Sequence, residues 1–176
     1  MAHRTLVLIR HGQTDWNVEE RFQGQLDIPL NAVGYSQAEA LNRQFAEMQF
    51  DTAYSSPLRR AIETARIIAG SRIQSDPRLT ENHHGSWQGK TKQEIAEQWP
   101  DQWEEWTKDP LSFTAPGGES PESLRTRIRD FLSTLEGTNI LCVSHGAVIQ
   151  MFLSILEGGS YGANTPVNGS VHTFEI

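Results

Sequence analysis

The sequence predicts a three-layer α/β/α sandwich, with a largely parallel central sheet and helices on both faces. Residues 5–9 and residues 138–144 are short apolar runs, typical of strands that are buried on both faces of a parallel sheet. Strand-like runs alternate along the chain with segments that carry apolar residues at spacings of three and four, the order found in α/β proteins. With 176 residues the chain can bury one full core, so we expect a single domain over residues 1–176.

The first predicted unit is a strand, a loop and a helix. The strand of residues 5–9 ends at Arg10. Residues 15–30 show no clear hydrophobic period, so we expect a surface loop there. Residues 34–48 repeat apolar side chains every three or four positions, which predicts an amphipathic helix.

A second unit begins with a predicted strand at residues 51–55. Pro57 follows it and suits the first position of a helix. The predicted core stripe of this helix consists of Leu58, Ala61, Ile62, Ala65 and Ile68. This stripe places Arg60 and Arg66 towards solvent. Arg59 falls in the first turn, where the helix dipole disfavours a cation, so we expect another group to hold it there.

The middle of the chain combines a polar loop with helices. Residues 73–79 contain a short predicted strand, and residues 80–91 form a loop that carries one acid and two adjacent histidines. One or two helices are expected over residues 92–108, with a break near Pro100. The tryptophans of these segments belong either to the core or to the wall of a pocket.

The last part of the chain is predicted to contain helix, strand, helix and strand. Ser120 is a suitable N-cap, and Pro121 suits the first position of the helix after it. Residues 138–144 are the next strand, and a helix begins directly after His145. Residues 168–176 alternate in the manner of a final strand.

Charge and composition exclude several classes of function. The formal net charge of -7 argues against non-specific nucleic-acid binding, which needs a broad basic surface. No stretch approaches the roughly 18 apolar residues of a membrane span. The single cysteine, Cys142, permits no internal disulfide. We therefore expect a complete cytoplasmic protein that binds neither nucleic acid nor membranes.

Basic side chains follow two of the predicted strands. Arg10 and His11 end the first strand, and His145 ends the later buried one. In an open parallel sheet the ligand crevice lies beyond the carboxyl ends of the strands, so the two histidines share one space if their strands are neighbours. A phosphoryl group there would meet Arg10, Arg59, Asn17 and the N–H groups that open the last helix.

Two residues have the chemistry of phosphoryl transfer. A neutral imidazole is a nucleophile, and nearby arginines disfavour its protonated form, so His11 is the candidate to attack phosphorus. Glu81 lies in a loop typical of an active-site rim, where its carboxyl group can protonate the leaving oxygen and then activate water. Guanidinium groups supply the positive charge, so the predicted reaction needs no metal or other cofactor.

Motifs in a fixed order extend over nearly the whole chain. They are Arg10-His11-Gly12 with Thr14 and Asn17, Ser55-Ser56-Pro57-Leu58 with Arg60-Ala61 and Thr64-Ala65, Leu79 and Glu81 with Gly85, Trp87 and Gly89, Pro116 to Ser120, and Ser144-His145-Gly146. Together they resemble the histidine phosphatase superfamily, also called the phosphoglycerate mutase-like family. The resemblance implies the predicted fold, phosphorylation of a histidine and an acid that donates the proton.

The resemblance also implies roles for individual residues. The phosphorylated residue would be His11, and the proton donor would be Glu81. The phosphate pocket would be formed by Arg10, Arg59 and His145, and further substrate contacts would come from Asn17, Gln23 and Gly24.

Within that family the sequence is more similar to the phosphatases than to the mutases. Asn82 follows Glu81, where mutases that hold a substrate carboxylate carry arginine, and residues 99–108 contain no arginine pair. Gln88 is the counter-signal, because it resembles the mutase pattern. A mutase therefore remains an alternative, as does a catalytically idle phosphate-binding module. The predicted ligand is a small phosphate ester of unspecified identity.

Several features carry no firm assignment. The protein is expected to be a monomer or a homodimer, and His83 and His84 have no assigned role. The pattern Gly-x-Ser-x-Gly at residues 158–162 follows a predicted helix rather than a strand, so it is not expected to be a nucleophile elbow.

Overall fold

The computed structural model describes residues 4–158 and 165–176, and these residues contain one five-stranded sheet. The strands are β1 Thr5–Arg10, β2 Thr52–Ser55, β3 Gln74–Ser75, β4 Asn139–Ser144 and β5 Val171–Glu175. Their order across the sheet is β3-β2-β4-β1-β5, and β5 alone pairs antiparallel with its neighbour. The predicted, largely parallel sheet is confirmed.

Helices connect the strands. They are α1 Asp15–Val18, α2 Ala32–Gln44, α3 Arg59–Ala69, α4 Lys92–Gln98, α5 Pro100–Lys108, α6 Pro121–Ser133 and α7 Gly146–Leu156, with short 3₁₀ turns at Pro77–Leu79 and Gly85–Trp87. The predicted break near Pro100 is confirmed, because this proline opens α5. Ser120 also caps α6 as predicted, since its side chain accepts a hydrogen bond from the backbone N–H of Ser123.

The three layers follow from the alternation of side chains along β1. Leu6 and Leu8 pack in one core with Leu124 and Phe131 of α6 and Met151 and Phe152 of α7. Val7 and Ile9 point to the other face and pack with Leu41 of α2 and with Ala61, Ala65 and Ile68 of α3. Helices therefore cover both faces of the sheet, which confirms the predicted sandwich.

Helix α3 differs from its prediction. It begins at Arg59, not at Pro57, and Leu58 before it is extended, with φ -67° and ψ 137°. The buried side of α3 includes Arg60 and Thr64, whereas Leu58 and Ile62 are only half-buried. The predicted core stripe therefore placed Arg60 on the wrong side of the helix, while Arg66 is exposed as expected.

The segment of residues 15–30 is also more ordered than the predicted surface loop. It begins with α1, whose N-terminus is stabilised by a reciprocal capping box between Thr14 and Asn17. Gln23, Gly24 and Leu30 are buried. This segment forms one side of the cavity described below.

A second, smaller apolar cluster lies beside the main sandwich. Its buried members are Trp87, Ile95, Phe113 and Ala115, and Phe22, Trp99, Trp103 and Trp106 pack against it. The rings of Trp103 and Trp106 are stacked with centroids 5.0 Å apart. Most of the tryptophans whose place was left open therefore serve as packing.

No helix within residues 4–158 and 165–176 is long and apolar enough to cross a membrane. The Gly-x-Ser-x-Gly pattern of residues 158–162 falls, after its first glycine, outside the described residues.

Candidate active site

The segments Arg10-His11-Gly12 and Ser144-His145-Gly146 lie side by side at one edge of the sheet. Strands β1 and β4 are parallel neighbours, and Arg10 pairs in register with Ser144. The next residues, His11 and His145, therefore leave the sheet side by side, and their ring centroids are 5.1 Å apart at an angle of 59°. The sequence did not determine whether these two strands are neighbours, and the structure shows that they are.

His11 is held as a neutral imidazole with a defined tautomer. The side chain is 2% exposed, and Nδ1 lies 2.7 Å from the carbonyl oxygen of Gly12. Because a carbonyl only accepts hydrogen bonds, Nδ1 carries the proton and Nε2 keeps its lone pair. Burial, and then the positive charges of Arg60 and Arg10, hold the pKa of His11 well below its ordinary value.

Backbone contacts fix the position of His11. The N–H of Gly12 donates to Oγ1 of Thr64 (3.1 Å), and Nδ2 of Asn168 donates to the carbonyl oxygen of His11 (3.1 Å). A Cβ on Gly12 would lie 2.5 Å from the carbonyl oxygen of Gly34, so this corner has no room for a side chain. Helices α2 and α3 therefore hold the end of β1 closely.

His11 faces a cavity of about 270 Å³. Arg10, Asn17, Arg60 and Glu81 line it together with His11. The cavity lies beyond the carboxyl ends of β1 and β4, as expected for an open α/β sheet.

Two arginines supply positive charge to the cavity. Arg10 donates from Nη1 to the carbonyl oxygen of Pro166, and its Nε is buried without a partner among the described residues. Arg60 is 1% exposed and donates 2.7 Å hydrogen bonds to the carbonyl oxygens of Gly24 and Leu26. Burial lowers the pKa of both side chains. The pKa of Arg60 falls to about 10, which still leaves this side chain protonated at neutral pH.

The predicted role of Arg59 in the phosphate pocket is wrong in this structure. Its side chain is 57% exposed, and its Nη2 pairs with Oε1 of Glu63 at 3.3 Å. Arg59 is not among the residues that line the described cavity. The backbone N–H of Arg59 donates to Oδ1 of Asp27 (2.7 Å), which stabilises the start of α3. The position assigned to Arg59 is occupied by Arg60, because successive residues of a helix point about 100° apart.

Glu81 lies on the cavity wall as predicted. Its Oε1 accepts a hydrogen bond from the backbone N–H of Asn82 (2.9 Å). Its Oε2 accepts from the backbone N–H of Ala147 in the first turn of α7 (3.5 Å). The carboxyl group is thus held at a helix N-terminus in the same cavity as His11.

The three predicted substrate contacts, Asn17, Gln23 and Gly24, also line the cavity. Oδ1 of Asn17 accepts hydrogen bonds from Thr14 and Asn168, which orients the amide group. Gln23 is 7% exposed, and its Oε1 has no partner among the described residues. Gly24 has a φ of 53°, and its carbonyl oxygen is held by Arg60.

His145 adjoins His11 and is not itself among the residues that line the described cavity. It is fully buried, and Nε2 lies 2.7 Å from Oγ of Ser56. Burial, followed by the charge of Arg60, holds the pKa of His145 well below its ordinary value. The ring is therefore neutral at physiological pH.

The far side of the cavity is aromatic and carries ion pairs. Trp16, Phe22 and Trp106 line it. Lys92 pairs with Glu20 at 2.7 Å, and Arg21 pairs with Glu19 at 2.5 Å and with Glu94 at 3.4 Å. We call these contacts the rim pairs.

The two histidines without assigned roles lie differently. His84 lines the cavity, and its ring centroid is 5.1 Å from that of Phe22. Burial lowers the pKa of His84. His83 instead accepts a hydrogen bond at Nδ1 from the backbone N–H of Gly85 (3.1 Å), a contact within its own loop.

Sequence reasoning missed four residues of this site: Arg60, Thr64, Ser56 and Asn168. The first three belong to the motifs around residues 55–65, where the pattern was visible but the direction of each side chain was not. Asn168 gave no signal, because it precedes the final strand and reaches His11 only through the tertiary fold.

Comparisons with known proteins show which family the chain belongs to. The sequence profile of the histidine phosphatase superfamily (branch 1) matches residues 6–175. A metal-independent phosphoserine phosphatase of Arabidopsis thaliana is 36% identical over 176 residues, covering 93% of this chain and 74% of that protein. A 2,3-bisphosphoglycerate-dependent phosphoglycerate mutase of Bartonella henselae is 32% identical over 169 residues, covering 88% of this chain and 82% of that protein.

A solved structure extends the likeness to three dimensions. A mycobacterial glucosyl-3-phosphoglycerate phosphatase superposes with a TM-score of 0.83 and 32% identity, covering 97% of this chain and 89% of that chain. Because the family profile covers almost all of the sequence, the chain belongs to the histidine phosphatase superfamily, and it is an enzyme of the phosphatase type.

Proposed function

We propose that residues 1–176 form one cytoplasmic domain that hydrolyses a small phosphate monoester, without a metal, through a phosphohistidine on His11. The observation that carries this proposal is the hydrogen bond from Nδ1 of His11 to the carbonyl oxygen of Gly12. It leaves the lone pair of Nε2 for attack on phosphorus, in a cavity that is also lined by Arg10 and by the buried Arg60.

The reaction has two steps. In the first, Nε2 of His11 forms a bond to phosphorus while the bond to the leaving oxygen breaks, and Glu81 gives its proton to that oxygen. In the second, Glu81 as a carboxylate takes a proton from water, the hydroxide oxygen bonds to phosphorus, and the bond to His11 breaks. Inorganic phosphate leaves, and both side chains return to their starting forms.

The phosphoryl group would be held by charge and by N–H donors. Arg10 and Arg60 balance its negative charge, and Asn17 and the first N–H groups of α7 are further donors. Each charge-assisted hydrogen bond contributes about 1.5 to 3 kcal/mol. Because these groups are already in place, they also favour the spread of charge in the transition state.

The far side of the cavity favours a leaving group that is uncharged and has an apolar face. Trp16 and Trp106 offer rings for packing. Of the cations on this side, Lys92 is paired with Glu20, and Arg21 is paired with two carboxylates. A carboxylate or a second phosphate on the substrate would have to compete with these acids.

Phosphoglycerate mutase activity is the second candidate, since several relatives carry that name. A mutase must retain the dephosphorylated substrate while the phosphoryl group stays on the enzyme. This requires cationic side chains that bind a second anionic group of the substrate. The rim pairs already neutralise Lys92 and Arg21, so we expect water to be the acceptor.

A product assay tests the proposed function. Purified protein is incubated with a panel of phosphate monoesters, with and without a chelator, and free phosphate and isomerised esters are both measured. We expect free phosphate as the product, no loss with the chelator and loss of activity in His11→Asn. Isomerised 3-phosphoglycerate as the main product would support the mutase instead.

A further inference from the structure

The side chain of His145 contains a buried polar atom without a partner. Its Nδ1 is shielded from solvent and makes no hydrogen bond within the described residues. Its Nε2 is satisfied by Oγ of Ser56 at 2.7 Å. Since nearly all buried polar groups in proteins are paired, an unpaired one beside a catalytic histidine calls for a ligand.

The surroundings of Ser56 determine which nitrogen of His145 carries the proton. Ser56 is fully buried, and its Oγ accepts from the backbone N–H of Leu58 (3.3 Å). Among residues 4–158 and 165–176 the one other hydrogen-bond contact of this hydroxyl is Nε2 of His145, so its single proton has that nitrogen as its acceptor. His145 then carries its own proton on Nδ1.

The opposite tautomer satisfies fewer groups. If Nε2 of His145 donated to Ser56, the hydroxyl proton would lose its acceptor, and the lone pair on Nδ1 would face no donor. Two buried groups would then be unpaired instead of one. The count of hydrogen bonds therefore selects the Nδ1–H form.

We propose that Ser56 is a positioning residue that holds His145 in its Nδ1–H tautomer, so that this N–H can donate to an oxygen of the phosphoryl group on His11. The proposal rests on the phosphohistidine mechanism above. Both imidazoles carry their proton on Nδ1, but they serve opposite purposes. In His11 the Nδ1–H donates to the carbonyl oxygen of Gly12, and the lone pair of Nε2 is free for attack. In His145 the lone pair of Nε2 accepts from Ser56, and the Nδ1–H is free to donate.

The 5.1 Å separation of the two rings is consistent with this role. In a phosphoryl group bonded to Nε2 of His11, the oxygens lie one bond beyond phosphorus. They can therefore reach the adjacent ring of His145. Nδ1 of His145 has no acceptor within the described part of the chain, so a phosphate oxygen gains a donor for which no described group competes.

The experiment compares Ser56→Ala with Ser55→Ala. Ser55 is a matched control, because it is also fully buried and its hydroxyl donates to the carbonyl oxygen of Ser56 (2.9 Å), without contact to His145. Inhibition by orthovanadate, which mimics the transferring phosphoryl group, is measured for both variants. We expect Ser56→Ala to weaken inhibition about tenfold or more, and Ser55→Ala to change it less than about twofold.

Nuclear magnetic resonance on wild-type protein gives a second test that does not depend on whether the variant folds. With ¹⁵N-labelled histidine, two-bond correlations show which nitrogen of His145 is protonated. We expect Nδ1–H, with its proton resonance moving downfield when orthovanadate is added. An Nε2–H tautomer, or unchanged vanadate inhibition in folded Ser56→Ala, would overturn the proposal.

The result also separates this inference from the proposed function. If His11 is phosphorylated while His145 proves to be the Nε2–H tautomer, only the role of Ser56 fails. If no phosphoryl group forms on His11 at all, the mechanism itself fails.

Discussion

Arg60 donates a 2.7 Å hydrogen bond from Nη2 to the carbonyl oxygen of Gly24. This contact joins α3 to the buried part of the segment after α1, and it positions the guanidinium group in the cavity wall. Thr64, one turn further along α3, accepts from the N–H of Gly12. One side of α3 thus holds both a cation and the backbone of the proposed nucleophile.

The neighbouring arginines provide a direct test of this arrangement. Arg60→Ala should lower kcat/KM for phosphate monoesters about 10- to 150-fold, because one or more charge-assisted contacts worth about 1.5 to 3 kcal/mol are lost. Arg59→Ala, which removes an exposed side chain that pairs with Glu63, should stay within about twofold of the wild-type value. Steady-state kinetics of both variants check this.

Thermal unfolding is the control for that comparison, since Arg60 also satisfies two carbonyl oxygens. A greater loss of activity in Arg59→Ala than in Arg60→Ala would mean that the assignment of the cavity arginine is incorrect.

Stability should fall in mildly acidic solution. The folded protein holds His11 and His145 neutral, with pKa values well below the ordinary one near 6.5. Below about pH 6.5 the unfolded chain binds protons at these residues and the folded chain does not, so acid favours unfolding. Each histidine contributes up to about 1.4 kcal/mol per pH unit to this slope.

Urea unfolding between pH 7.5 and 5.5 measures that slope. In His11→Asn the dependence of the unfolding free energy on pH should become weaker by about the contribution of one histidine. If the free energy of unfolding does not change over this range in wild-type protein, the two imidazoles are not held neutral by the fold.

The rim pairs should control the charge of the leaving group. Glu20→Gln frees Lys92 on the cavity wall, so kcat/KM for 3-phosphoglycerate should rise about two- to fivefold, a modest effect because the pair is exposed to solvent. The value for 2-phenylethyl phosphate should not change. Kinetics at low ionic strength give the clearest difference.

Glu104→Gln is the matched control, because Glu104 forms a similar 2.7 Å ion pair with Lys108 away from the cavity. Equal effects of the two substitutions would show that only overall charge matters. A wild-type preference for 3-phosphoglycerate over 2-phenylethyl phosphate would contradict the proposed leaving group.

The sequence predicted the parts of the site that depend on chain topology. Two strands that end in His-Gly lie side by side because parallel strands finish at the same edge of the sheet. Glu81 was found because its loop is polar and rich in glycine, and the structure places it in the cavity.

The sequence did not determine directions of side chains that depend on the phase of a helix. The buried side of α3 includes Arg60 and Thr64 in place of the predicted Leu58 and Ile62, and one residue of displacement turns a side chain by about 100°. Contacts between distant segments, such as Ser56 with His145, had no local pattern to reveal them. Packing of the whole fold decides such pairs.

The central claim is the phosphoryl group on His11, and Glu81→Gln gives the most direct way to trap it. With 4-nitrophenyl phosphate the leaving group needs no proton, so the first step should proceed, whereas hydrolysis of the intermediate lacks its base. The protein is denatured in alkali soon after mixing, and its peptides are mapped by mass spectrometry. We predict an alkali-stable phosphoryl group on His11; a phosphoryl group on another residue, or none during release of 4-nitrophenol, would contradict the account.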